Sequence, residues 1–183
     1  PDFAPPPPRA RLSAIGQVGF ACTQLAYPKA VEGVQSYADV PPPLVEATRE
    51  AAARTGVQIA VYGTYVELSF VDEAKRKAEA AKVRGQIGNA KLLAAGCMGS
   101  ETTPMAKQPG ASRKDALESL LRSLGEIMPA CEEAGVLFGI ECVSHHAMNT
   151  PEATKMGLDT LARPNRRVIC ALAHYTAAEN ASR

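Results

Sequence analysis

Three side chains that could carry chemistry follow one short apolar segment of the sequence. Val136 to Ile140 is almost wholly apolar and follows a glycine, which is typical of a strand buried on both faces of a parallel sheet. Glu141 ends the segment, and His145 and His146 come soon after it. Because α/β folds place ligands and catalytic groups at the carboxyl ends of their strands, we predict a site around Glu141.

The residues after the two histidines predict the start of a helix. Asn149 or Thr150 suits the cap, Pro151 suits the first turn, and Glu152 suits the positive end of the helix. Side chains of adjacent residues in an extended segment point in opposite directions, so only one of the two histidines is expected to face inward. The plainer alternatives are a hydrogen-bonded rim carboxylate and two solvated loop histidines.

Composition narrows the class of protein. The net charge of +1 and the 5% aromatic content, without any basic run, argue against nucleic-acid binding. No apolar run is long enough to cross a bilayer and no signal peptide is visible, so we expect no membrane partner. The five cysteines form no Cys-x-x-Cys pair, and their odd number favours reduced thiols and a cytoplasmic location.

Strand and helix patterns alternate along the chain. We predict strands at residues 15–23, 31–35, 57–62, 91–95, 136–140 and 167–172, and helices at 44–54, 72–87, 112–134 and 150–161. Gly96 to Ser100 is interpreted as a turn that could offer N–H groups to a phosphate, and Glu67 as a rim residue or a surface charge. We expect an extended Pro-rich tail at 1–14, one barrel domain at 15–175 and a polar tail at 176–183.

This alternation predicts an α/β fold with a parallel sheet and crossover helices. A doubly wound sheet and a (β/α) barrel both fit the pattern. The absence of Gly-x-Gly-x-x-Gly in the first βα turns disfavours a dinucleotide-binding fold, and the absence of Gly-x-x-x-x-Gly-Lys-Ser/Thr excludes a P-loop.

One passage resembles a known family. The sequence Cys131-Glu-Glu-Ala-Gly-Val-Leu-Phe-Gly-Ile-Glu141 is similar to the "AeeaGv.l.lE" signature of the sugar phosphate isomerase/epimerase family, the xylose isomerase-like TIM barrels. Asn149-Thr-Pro-Glu152 and Arg163-Pro-Asn165 resemble that family's "NTPE…SPN" passage. The resemblance covers roughly residues 25–175 and implies a (β/α) TIM-barrel-like fold.

The resemblance also implies a metal-assisted isomerase or epimerase acting on a small sugar or sugar phosphate. Family members hold a divalent metal with two Glu, one Asp and one His, and Mn, Mg, Zn or Co would suit such ligands. By position, Glu141 carries over as a metal ligand and catalytic base. His146, with His145 beside it, carries over as a substrate-binding residue, and His174 is a substitute metal ligand.

Two departures from the family pattern stand out. Ala171 takes the place of the metal-binding Asp in a "D-x-x-N" motif, and His174 takes the place of the Asn. The chain is also shorter than the roughly 200–250 residues of a full barrel, so we expect an incomplete barrel with open edge strands and self-association through those edges. A non-catalytic remnant that binds a partner or small ligand, and a metal-dependent hydrolase or lyase, remain as alternatives.

Overall fold

The structure is a computed structural model that describes residues 8–161, 163–171 and 174. Five strands form one sheet: β1 (Cys22–Leu25), β2 (Gln58–Glu67), β3 (Cys97–Glu101), β4 (Phe138–Glu141) and β5 (Arg166–Ile169). The α-helices of this part of the chain are α1 (Pro8–Gln17), α2 (Tyr27–Ala30), α3 (Pro42–Thr55), α4 (Glu73–Gly85), α5 (Ile87–Leu92), α6 (Arg113–Ala134) and α7 (Pro151–Leu161). Two short 3-10 helices, η1 (Tyr37–Asp39) and η2 (Met105–Lys107), lie in loops.

The strand order identifies the type of sheet. All neighbours are parallel, and the order is β1-β2-β3-β4-β5, so each strand pairs with the next one along the chain. A doubly wound sheet reverses its order at a switch point, and this sheet does not. The TIM-barrel-like prediction is therefore confirmed, and the open sheet agrees with an incomplete barrel.

The two faces of the sheet have different roles. Met98 and Phe138 lie on the helix-covered face and are fully buried in the core, together with Leu120 and Met128 of α6. Because side chains alternate along a strand, the intervening residues of β3 and β4 point to the concave inner face. The carboxylates at the ends of these strands lie on that inner face.

Several helix boundaries agree with the sequence predictions. The Asp72 side chain accepts the backbone N–H of Ala74 and Lys75 at the start of α4. Ser112 caps α6, and Thr150 accepts the N–H of Ala153 at the start of α7. Such caps satisfy the unpaired N–H groups of a first turn. Among the described helices, none is both long enough and apolar enough to span a bilayer.

The prediction of an extended tail is wrong for residues 8–14. These residues belong to α1, whose Leu12 is 4% exposed and joins the hydrophobic core. Pro8 opens the helix, a position at which proline loses no hydrogen bond. The apolar contact of Leu12 therefore outweighs the local proline content, and residues 1–7 lie outside the described part of the chain.

The predicted strands at 15–23 and 31–35 are also misplaced. Residues up to Gln17 belong to α1, and the first strand begins only at Cys22. The 31–35 segment is a turn, because Gly33 has φ 82°, a left-handed conformation that a strand does not contain. The short apolar pattern there arises from Val34, which packs into the core from the turn.

Strand β3 begins six residues later than the strand predicted at 91–95. Residues 91–95 contain the end of α5 and a turn, and the segment interpreted as a turn, Gly96 to Ser100, contains most of β3. Its glycines allow close approach: a Cβ on Gly96 would lie 2.9 Å from Ala60 O, and one on Gly99 would lie 2.2 Å from Ile169 Cδ1. The N–H of Met98 donates to Leu137 O at 2.8 Å, which corrects the interpretation of this segment as a phosphate-binding turn.

Three glycines lie side by side on adjacent strands. Gly63, Gly99 and Gly139 are register partners in β2, β3 and β4, and the Ile169 side chain crosses above Gly99 and Gly139. We expect Gly99→Ala to destabilise the fold by about 1–3 kcal/mol, because the new methyl group overlaps Ile169. Urea denaturation would measure the loss.

Two further variants make this prediction specific. Ile169→Val removes the overlapping methyl group and should recover part of the loss in the double variant. Gly125→Ala, at an exposed position of α6 with nothing within 4 Å of the new Cβ, should leave the free energy of unfolding unchanged or raise it by up to about 1 kcal/mol. Equal losses for Gly99→Ala and Gly125→Ala would contradict the packing explanation.

Self-association through the edges remains a prediction. β1 and β5 are the two ends of the described sheet, and an edge strand offers unpaired N–H and C=O groups to another chain. Light scattering at micromolar concentration should therefore give a mass above that of one chain, falling on dilution. A constant monomer mass across the dilution series would refute this expectation.

Candidate active site

Three glutamates lie together at the carboxyl edge of the sheet. Glu67, Glu101 and Glu141 are the last residues of β2, β3 and β4, and they are register partners across the sheet. Neighbouring strands run about 4.8 Å apart, so the backbone brings these carboxylates to one rim. The predicted position of Glu141 at a strand end agrees with the structure, whereas Glu101 was not singled out from the sequence.

Glu141 is the most shielded of these carboxylates. Its side chain is 13% exposed, and His174 Nε2 lies 3.7 Å from its Oε1. Burial raises the pKa of Glu141, and the charge of Glu101 adds to the rise, while His174, Lys29 and a hydrogen bond from Tyr65 act in the opposite direction. A carboxylate with a raised pKa at a strand end has the properties of a proton-transfer group.

A cavity opens in front of Glu141 and Glu101. Its volume is about 430 Å³, within the range of small-molecule sites. We call it the inner cavity. Its walls are formed by Gln24, Ala26, Lys29, Ala30, Tyr65, Glu101 and Glu141. Carboxylate acceptors, an amide and an ammonium group therefore face one space.

Tyr65 is held in place between the inner cavity and the sheet. A Cβ on Gly63 would lie 2.5 Å from its ring, so the absence of a side chain at Gly63 makes room for it. The Lys29 ammonium lies 4.1 Å from the ring centroid on a cation–π contact. Burial raises the pKa of the Tyr65 hydroxyl, with Glu141 and Glu101 adding to the effect, so this hydroxyl remains a hydrogen-bond donor to Glu141.

The two histidines of the β4–α7 loop have different surroundings. His146 is 4% exposed, and its Nε2 lies 3.9 Å from Glu101 Oε2, whereas His145 is exposed and contacts the His146 ring edge-on. Arg113 donates to the His146 carbonyl, and Ala147 N–H donates to Thr103 O at 3.2 Å. The loop is thus fixed, and neither histidine lines the inner cavity; their substrate-binding role remains a prediction.

Glu67 and Ala171 complete the set of positions identified from the sequence. Glu67 lies at the rim but is paired with Lys107, so both interpretations of it hold in part. Ala171 accepts the His174 N–H at 3.0 Å, which brings His174 close to Glu141 as a substitute ligand would require.

The described residues do not complete a metal site. No group of three or more His, Cys, Asp or Glu side chains that could hold a metal occurs among residues 8–161, 163–171 and 174. The pairs Glu141–His174 and Glu101–His146 have suitable chemistry for a divalent ion, but each provides only two donors. The chemical types of these donors, carboxylate and imidazole, therefore fit the metal that the resemblance implies. Two donors in each pair are too few to complete a site.

Glu101, Tyr65, Lys29 and Gln24 were not predicted as site residues. Glu101 was missed because the strand before it was interpreted as a turn. Tyr65 was missed because β2 continues beyond Tyr62 to Glu67. Strands β2, β3 and β4 each end in a glutamate, and this recurrence is the signal that could have identified Glu101.

Comparison with solved structures gives the same architecture. D-psicose 3-epimerase with D-tagatose from Clostridium cellulolyticum H10 matches with a TM-score of 0.80 and 17% identity, covering 94% of this chain and 60% of that one. The 3-keto-D-glucoside 4-epimerase YcjR from E. coli matches with a TM-score of 0.77 and 13% identity, over 98% and 69%. The IOLI protein with a bound zinc atom matches with a TM-score of 0.75 and 15% identity, over 92% and 58%.

At these identities the likeness establishes the fold alone. The chain spans about 60% of the length of the first of these relatives. A comparison with curated proteins gives no match. The model of the family described as "Xylose isomerase-like TIM barrel" matches residues 12–182. The chain therefore belongs to the xylose isomerase-like TIM barrel family.

Proposed function

We propose that this chain is a sugar isomerase or epimerase in which Glu141 moves a proton on the carbon next to a carbonyl group. The observation that carries this proposal is the placement of Glu141: a shielded carboxylate with a raised pKa at the end of β4, facing the inner cavity. The epimerase activities named for two structural relatives support the reaction class.

The step itself is a simple proton transfer. The Glu141 carboxylate takes the proton from the carbon, and the electron pair of the broken C–H bond moves to the carbonyl oxygen as an enediolate forms. Delivery of a proton to the opposite face of the same carbon, by an acid other than Glu141, gives an epimer. Return of the proton from Glu141 to the former carbonyl carbon, with the hydroxyl proton of the first carbon passing to the former carbonyl oxygen, gives an isomer. A raised pKa brings the carboxylate closer to the working pH, where a general base is most effective.

Other residues would hold the sugar during this step. His174, whose Nε2 lies 3.7 Å from Glu141 Oε1, would donate to the carbonyl oxygen as negative charge develops there. Glu101 and Gln24 line the inner cavity and offer partners to sugar hydroxyls. The Tyr65 hydroxyl would donate to Glu141 and hold that carboxylate in place.

Metal assistance is a separate question. Glu141 and His174 would be the residues to hold a divalent ion, which would polarise the substrate oxygens. Since the described residues bring only two donors together, no step of the proposal passes through a metal.

A binding protein without catalysis is the second candidate. Ala171 stands where the family resemblance implies a carboxylate, and the incomplete set of metal donors favours this alternative. Such a chain would bind a sugar in the inner cavity and leave it unchanged.

Incubation with ketohexoses and their phosphates in D₂O separates the two candidates. An isomerase or epimerase should place deuterium on the carbon next to the carbonyl, and NMR would detect the loss of the corresponding proton signal. If sugars bind but no sugar of the panel incorporates deuterium, the binding-protein candidate is supported and the enzyme candidate is refuted.

A further inference from the structure

A second cavity shares two wall residues with the inner cavity, and Glu141 does not line it. Its volume is about 320 Å³, and it lies between the β1–α3 connection and helix α4. We call it the outer cavity, and its walls include Ser36, Glu67, Glu79 and Lys82. Lys29 and Tyr65 line both cavities, so one ligand could extend past them from the inner cavity into the outer one.

The charges of the outer cavity are mostly neutralised by one another. Lys82 Nζ lies 2.6 Å from Glu79 Oε1, and Lys107 is paired with Glu67. Among the described residues, no carboxylate oxygen lies within 4.0 Å of the Lys29 ammonium, which acts on Glu141 only at longer range. Lys29 is therefore the positive charge of this cavity that can interact with a ligand.

The position of Lys29 is fixed independently of any ligand. Its ammonium group lies 4.1 Å above the Tyr65 ring, and that ring is seated in the space left by Gly63. A long lysine side chain normally loses much conformational freedom on binding a ligand. Because the cation–π contact already restricts this lysine, less freedom remains to be lost.

We infer that Lys29 binds the anionic group of a phosphorylated sugar, with the phosphate in the outer cavity and the carbonyl end in the inner cavity. This inference rests on the proposed function, whose substrate class it narrows. Glu101 and Glu141 would repel a dianion placed beside them, so the phosphate must lie at the far end of the substrate. The paired glutamates of the outer cavity exert no such net repulsion.

Titration calorimetry with D-fructose 6-phosphate, D-fructose and inorganic phosphate tests this inference. The wild type should bind the sugar phosphate at least about tenfold more tightly than the neutral sugar, because the Lys29 ammonium would make a charge-assisted hydrogen bond to the phosphate. Lys29→Met should abolish this preference, lowering the affinity for D-fructose 6-phosphate far more than the affinity for D-fructose. Lys29→Arg should retain the preference, since it keeps the charge.

A matched control is Lys91→Met, which removes an exposed lysine from α5, the helix that leads into the amino end of β3. It should leave the affinity for all three ligands unchanged.

Equal affinity of the wild type for both sugars, or an unchanged preference in Lys29→Met, would overturn the inference while the proposed function stands. Equally tight binding of inorganic phosphate and D-fructose 6-phosphate, without D-fructose binding, would reduce the cavity to a phosphate site and also overturn it. Failure of both sugars to bind, together with no deuterium incorporation across the panel of ketohexoses and their phosphates, would refute the proposed function, and this inference with it.

Discussion

Replacing Glu141 by glutamine should lower the rate of deuterium incorporation into a ketohexose or its phosphate by about 10²–10⁴-fold, the usual contribution of a general base. The amide has the same shape as the carboxylate and can still accept the Tyr65 hydroxyl, but it cannot take up a proton. Substrate affinity should change much less than the rate. Single-turnover NMR measurements in D₂O would separate the two quantities.

The same substitution should not destabilise the protein near neutral pH. Burial and the Glu101 charge raise the pKa of Glu141 in the folded state, so its ionised form is less favourable there than in the unfolded chain. Removing that charge should leave the melting temperature unchanged or increase it. Loss of activity with retained or increased stability is the combination expected of a functional carboxylate.

Glu133→Gln is the matched control, because it makes the same chemical change at an exposed position of α6. Its exchange rate should equal that of the wild type. If Glu141→Gln retains more than about a third of the wild-type rate, less than 1 kcal/mol of barrier is involved, and Glu141 is not the base.

Lowering the pH from 6.5 to about 4 should remove about 3 kcal/mol of stability through His146 alone. Burial lowers the pKa of His146 from 6.5 to about 4, with the charges of His145 and His174 adding to the effect. Its Nδ1 has no hydrogen-bond partner among the described residues. Each pKa unit between the folded and unfolded states corresponds to about 1.4 kcal/mol.

The sign follows from proton binding. Between pH 6.5 and 4 the unfolded chain binds a proton at this histidine and the folded chain does not, so stability falls as the pH falls and becomes constant below the folded pKa. Urea denaturation at several pH values would measure this slope. His146→Gln carries no titrating group there and should show a smaller slope. His145→Gln removes only a contributing charge and leaves the burial of His146 in place, so it should reduce the slope less than His146→Gln does. Identical slopes for the wild type and His146→Gln would contradict this assignment.

The sequence was most informative where local chemistry alone decides the structure. The Asp72 and Ser112 caps and the strand ending at Glu141 depend on residues close together in the chain, and all three agree with the structure. The passage around Glu141 also carried the family resemblance, which the family match confirms. Local signals and the family signature therefore coincide at the site's main carboxylate.

Long-range packing accounts for the errors. Glycines at 96 and 99 normally indicate a turn, but here Ala60 O and Ile169 occupy the space that side chains would fill. That close packing depends on strands far away in the sequence, so it could not be read locally. The same error hid Glu101, because a carboxylate at a strand end is recognised only when the strand is placed correctly.

The inner cavity could not have been predicted from the sequence at all. Gln24, Lys29 and Tyr65 come from β1, α2 and β2, and they meet Glu101 and Glu141 only through the curvature of the sheet. Lys29 has no sequence context that distinguishes it from a surface lysine. Its contact with Tyr65 becomes apparent only when the two elements are packed together.

Whether sugars bind at Glu141 can be decided by a thermal-shift comparison of the wild type with Glu141→Ala. A ligand that binds only the folded state raises the melting temperature by mass action. We expect at least one ketohexose or ketohexose phosphate to raise the melting temperature of the wild type and to have no effect on the variant. Equal shifts in the two proteins would place the sugar elsewhere, and the absence of any shift across the panel would contradict a sugar site at the end of β4.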